Sequence, residues 1–208
     1  MKYTFSALLT ALSLSIPALA HAQDLSDKGT MVFSADRLFG VTATHVSWEE
    51  GPFEADNDWT AIGFLSRSPA SVFDLPRVGF DYLVIDHLSV GGSIAFYTTD
   101  PDQGPDYSGF LLSPRVGYLV ELGRVVGIWP RGGFTFHSGE VGGTDENGFA
   151  LTLECPFTFS PTKHFAFHVG PTFDIDMFGK REGGGPGGVD VDQNYRVFGL
   201  NAGLLGWF

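Results

Sequence analysis

The chain has 208 residues, a length that suits one domain, and a formal charge of −12. That charge argues against nucleic acid and anionic membrane surfaces as electrostatic partners, and the single cysteine, Cys155, excludes an internal disulfide. With 28 Gly, 20 Phe and only 17% charged residues, the composition points to an all-β protein with close backbone packing and an aromatic surface.

The first residues read as an export leader. Lys2 precedes an apolar run from Phe5 to Ile16, and Ala20-His21-Ala22 follows as an A-x-A cleavage site, with Ala18-Leu19-Ala20 a close alternative. The run is too short for a membrane-spanning helix. Residues 1–22 are expected to be removed, leaving 23–208 as a single domain. No cysteine marks a lipoprotein anchor at the cleavage site, and no later run of about 18 apolar residues predicts a transmembrane helix.

After the leader, period-two alternation predicts eight strands: Met31–Val46, Val72–Ile85, His87–Thr99, Ser108–Glu121, Val125–Ser138, Gly148–Phe159, His164–Met177 and Tyr195–Trp207. The first is the least regular. Arg37 shares the parity of Phe33 and Phe39, which predicts a bulge or an early end there. Trp59–Ser66 is also strand-like and extends one of the first two strands.

The connections alternate in length. Three are tight: Ile85-Asp86-His87, Glu121–Arg124 and Ser160–Lys163. Four are long and acidic: Ser47–Ser71, Asp100–Tyr107, Gly139–Asn147 and Phe178–Asn194, the last carrying the flexible Gly183–Gly188 stretch. Tight turns at one end and long loops at the other predict an antiparallel up-and-down transmembrane β-barrel with both termini at the short-turn, periplasmic end.

The faces of the strands differ in kind. Phe165, Phe167, Val169, Phe173 and Ile175 share one face, while His168, Gly170, Thr172, Asp174 and Asp176 share the other. An eight-stranded barrel is only just wide enough for side chains to fill it. The small and ionic set is therefore expected inside, with the Phe-rich set against lipid. Closure then pairs every backbone group, as hydrocarbon requires.

The C-terminal strand supports the same assignment. Phe198, Leu200, Ala202, Leu204 and Phe208 share the lipid parity, and the run ends Leu205-Gly206-Trp207-Phe208. From about residue 29 onward the chain resembles the small eight-stranded outer-membrane barrels of OmpA, OmpX and OmpW type. The resemblance implies a Gram-negative outer-membrane protein whose Phe198, Leu200, Leu204 and Phe208 form a C-terminal signal for the barrel assembly machinery. It implies no catalytic motif and no cofactor, and no peptidoglycan-binding domain is expected after the barrel. Outer-membrane lipid and lipopolysaccharide are the expected surroundings, and a monomer the expected state.

Three Pro-Arg-x-Gly motifs place Arg77, Arg115 and Arg131 inward, each with a glycine two residues on to make room for the guanidinium. Asp36, Asp81, Glu154, Asp174, Asp176 and His168 share that face. An Arg–carboxylate network filling the lumen is the expected arrangement, since confined charges need partners. It is preferred over a channel, because so narrow a lumen is usually full. No metal site is assigned. Trp48, Trp59, Trp129, Trp207, Tyr97, Tyr107 and Tyr195 are expected in interfacial girdles. His45-Val46-Ser47 faintly resembles a lipid A deacylase pattern, but Trp48 stands where asparagine is needed, so no enzyme is expected. A small pore for hydrophobic or small solutes is the first alternative. A soluble periplasmic barrel that binds a ligand is the second; it requires the Phe face to point inward.

Overall fold

A computed structural model describes residues 24–50, 53–64, 72–99, 107–141, 143–183 and 190–208. The proposed leader lies outside them. Twelve strands occur in the described residues: β1 (Met31–Glu50), β2 (Phe53–Phe64), β3 (Arg77–Ile85), β4 (Leu88–Thr99), β5 (Tyr107–Tyr118), β6 (Val120–Glu121), β7 (Val126–Ile128), β8 (Arg131–Val141), β9 (Thr144–Glu154), β10 (Phe157–Thr162), β11 (Phe165–Arg181) and β12 (Val191–Trp207). They build eight antiparallel walls, because four walls are each made of two strands: β2 with β3, β5 with β6, β7 with β8, and β9 with β10. Pairing of β12 with β1 closes the barrel, sealed at its base by reciprocal 3.0 Å hydrogen bonds between Met31 and Phe208.

The interruptions have local causes. Pro130 and Pro156 have no N–H to give a ladder. The ladder bridges the breaks: Tyr118 donates to the Pro130 carbonyl at 2.9 Å, Trp129 to Pro156 at 2.9 Å and Cys155 to Pro171 at 3.0 Å. The second wall breaks near mid-height. Phe64 pairs with Phe39 and Arg77 with Asp36, so the two halves follow one another along β1. Between them, Val72–Asp74 forms a 3₁₀ turn, not the strand start expected at Val72, and Phe73 is fully buried.

Several strands run further outward than the alternation suggested. β1 reaches Glu50, β11 reaches Arg181 and β12 starts at Val191. Most of the expected Gly139–Asn147 loop is strand, and Ser47–Ser71 contains β2. Near the rim both faces meet water, so polarity no longer alternates and strand reads as loop.

Phe33, Phe80, Phe110, Phe136, Phe167, Phe173 and Phe198 all stand on the outer surface. The aromatic face therefore points outward, and not inward as the soluble-binder alternative requires. On β12 the outward positions from Phe208 to Phe198 are apolar or glycine, and at ~3.3 Å per residue and a tilt of ~40° they rise about 25 Å, the height of a hydrocarbon belt.

The tryptophans do not form girdles. Trp129, Trp207 and Tyr195 are buried in the barrel, and Trp48 and Trp59 pack on its upper interior. Their inward parity decides this, and Phe and Tyr side chains stand on the outer surface instead, Phe33 and Tyr82 towards the periplasmic end and Phe96 and Phe178 towards the opposite end. The side chain of Tyr107 is outside the described set.

Candidate functional site

The interior is filled in three layers. At the periplasmic end Leu25, Val32, Leu83, Leu119, Trp129, Ala166, Leu205 and Trp207 form an apolar plug. Leu25 arrives on a strap, residues 24–30, tied across the mouth. Gly29 donates to the Leu83 carbonyl at 2.8 Å, His87 to Ser26 at 2.7 Å, and the Ser26 hydroxyl meets the Glu121 carboxylate. At the outer end Val46, Phe73, Ala150, Tyr195 and Val197 make a second apolar cluster.

Between these caps lies an ionic layer. Arg115 grips Asp81 with two bonds, Nε to Oδ1 at 3.1 Å and Nη2 to Oδ2 at 2.6 Å, and reaches Asp36 at 2.7 Å. Arg131 lies 2.9 Å from Glu154 and 3.6 Å from Asp36, with its guanidinium 5.2 Å over the Trp129 ring. His168 Nε2 stands 3.1 Å from Asp36. Asp174 also accepts from the Thr152 hydroxyl at 2.7 Å, and Thr152 is linked on to Thr135 at 2.6 Å.

The residue that joins the two halves of this layer is Arg37, which strict alternation would place on the face of Phe33 and Phe39. Its backbone is left-handed, at φ 55, within the irregular Ala35–Phe39 stretch of β1. The bulge turns both Asp36 and Arg37 inward. Arg37 then holds Asp174 at 2.7 and 3.2 Å and Glu154 at 3.1 Å, and donates to the Phe73 carbonyl at 2.5 Å. The parity break was the available signal; it marked the bulge without saying which residue would turn.

Two expected members sit differently. Arg77 is buried but makes no ion pair among the described residues; it donates to the Phe73 carbonyl at 3.3 Å, its carboxylates having gone to Arg37. Asp176 lies above the arginines. It is 3.6 Å from His137 and accepts from the Tyr195 amide at 3.1 Å. Arg37, Arg77, Arg115 and Arg131 face Asp36, Asp81, Glu154 and Asp174, and Asp74 in the 3₁₀ turn is a further buried carboxylate.

Two of the motif glycines, Gly79 and Gly117, make room for a neighbour's side chain, while Gly133 lies against the Pro114–Arg115 backbone. A Cβ on Gly79 would stand 2.8 Å from Arg115 Nη2, and one on Gly117 2.5 Å from Trp129 Nε1 and 2.9 Å from Arg131 Cγ. Gly79→Ala should therefore cost about 1–3 kcal/mol through overpacking. Urea unfolding of the barrel in lipid vesicles is the check, and an unchanged midpoint would refute it.

On the outer rim, Lys180 pairs with Asp190 at 2.6 Å, which raises the lysine pKa and lowers that of the carboxyl. On the outer wall, His45 Nδ1 lies 2.8 Å from Asp58. No group of three or more His, Cys, Asp or Glu able to hold a metal occurs among the described residues.

No protein-family model matches the chain, and no curated protein matches it. Solved structures do. The solid-state NMR structure of outer membrane protein AlkL in lipid bilayers superposes with a TM-score of 0.54 at 13% identity, covering 93% of this chain and 95% of that one. Neisserial surface protein A gives 0.50 at 14%, covering 86% and 99%. OprG from Pseudomonas aeruginosa gives 0.50 at 11%, covering 88% and 97%. At such identities the shared property is the fold, and together with the closed eight-walled barrel it makes this chain a small eight-stranded β-barrel of the outer-membrane type.

Proposed function

We propose that the chain works in a Gram-negative outer membrane as a closed, monomeric barrel with a structural and surface-facing role, without catalysis. The observation that carries this is the filled lumen of the described residues. The cavity beside the ionic layer, between Asp36, Arg131, Glu154 and His168, measures about 10 Å³, room for about one water. Apolar clusters cover that layer on both sides. Among the described residues, the surfaces open to other molecules are the outer wall, a hollow of about 830 Å³ at the periplasmic mouth beside Leu25, Glu121 and Trp207, and the acidic rim, where Glu49, Glu54, Asp56, Asp58 and Asp192 are exposed. The exposed Phe208, at the end of an apolar stripe with Leu204, Leu200 and Phe198, suits recognition by the barrel assembly machinery during insertion.

Conductance in a planar bilayer separates this reading from a small pore. The expected record is flat; steady unitary currents from the purified, folded protein would overturn the closed reading. Location is tested by fractionation with boiled and unboiled gel samples. A heat-modifiable band in the outer-membrane fraction is expected, and a soluble protein without mobility shift would refute it.

A further inference from the structure

The outer wall carries one charged row directly above its apolar belt. Arg196 on β12 is paired in register with His45 on β1 and Ile175 on β11, and His45 with Asp58 on β2. One row down stand Phe173, Phe198, Ala43 and Thr60. Phe173 and Phe198 pack with ring centroids 4.7 Å apart. These residues line a groove of about 670 Å³. Among the described residues Arg196 is exposed and makes no ion pair, whereas Asp58 holds His45 through Nδ1 and Nε2 has no partner there.

We propose that this groove is a binding site for an anionic lipid of the outer leaflet, with its phosphate on Arg196 and His45 and an acyl chain on Phe173, Phe198 and Ile175. Height supports this occupant. The belt below spans about one hydrocarbon thickness, so Arg196 stands where lipid phosphates lie. Chemistry supports it too, since a guanidinium matches phosphate geometry with two parallel bonds. The apolar floor supplies what a free phosphate would not use.

The proposal rests on the membrane reading above, and the two fail separately: fractionation tests location, while lipid titration of the folded barrel tests only the groove. Protein folded in zwitterionic micelles is titrated with dilauroyl phosphatidic acid or dilauroyl phosphatidylcholine, and adducts are counted by native mass spectrometry. One phosphatidic acid per barrel is expected at concentrations where phosphatidylcholine leaves none. Arg196→Gln should weaken that adduct about tenfold, as loss of one charge-assisted contact predicts. Arg196→Lys should fall between, and Lys180→Gln, already paired with Asp190, should match wild type. His45→Asn gives a second variant should Arg196→Gln lose heat-modifiability. Wild-type adduct levels in both folded variants, equal binding of the two lipids, or a dimer without lipid would each overturn the site.

Discussion

Arg115→Ala should lower the unfolding free energy of the barrel by about 3–5 kcal/mol, the cost of removing one partner from a buried ion pair. The substitution strands two carboxylates. Asp81 loses a bidentate grip at 3.1 and 2.6 Å, and Asp36 loses its contact at 2.7 Å, in side chains that water does not reach. Asp36 keeps His168 and the Ser34 hydroxyl at 3.1 Å and Arg131 at 3.6 Å, which compensate only in part for the lost guanidinium. Urea titration of the protein folded in lipid vesicles measures the loss. Adding Asp81→Asn should restore part of it by removing one stranded charge, a coupling that double-mutant analysis reads directly. An unchanged midpoint for Arg115→Ala would mean that the layer is hydrated and contributes no net stability.

Phe167→Arg should destabilise the folded state by about 2–4 kcal/mol, the cost of an arginine near the bilayer midplane on the lipid face of a barrel. Phe167 pairs in register with Leu204 on one side and Phe159 on the other, within the apolar belt. Thr172→Ala is the contrast. Thr172 faces inward and accepts a 2.7 Å bond from Asn201, a contact worth roughly 1 kcal/mol. Equilibrium unfolding in bilayers of matched thickness should therefore rank the two far apart. Equal effects would mean that the faces are not divided between lipid and lumen.

The residues of the ionic layer were legible to different degrees. Asp81, Arg115, Arg131, Glu154 and Asp174 lie on regular strands, where parity alone turns a side chain inward, and the structure brings these charges together. Arg37 was not legible as a member, because a bulge cancels parity and only the three-dimensional register says which residue points in. The same bulge explains Arg77. Once Arg37 occupies Asp174 and Glu154, Arg77 is left with the Phe73 carbonyl. Asp176 shares the face of Asp174, but two residues further along a tilted strand lift it to the level of His137 and Tyr195. Parity fixes the face of a side chain and says nothing of its height against the other walls.

By itself the sequence determined the barrel, its closure in eight walls, the outward Phe set and the inward charges, because a two-residue period between two solvents leaves a visible stripe. Tertiary structure decided what the stripe does not encode. It placed the 3₁₀ turn at Val72–Asp74 inside the lumen, where the sequence suggested strand. It turned Trp129 and Trp207 into a plug, and it set Arg196 beside His45 on the outer wall. Each of these depends on which residues of distant strands stand at the same height. That follows from the stagger and bulges of a closed barrel, which pairing sets across the whole chain.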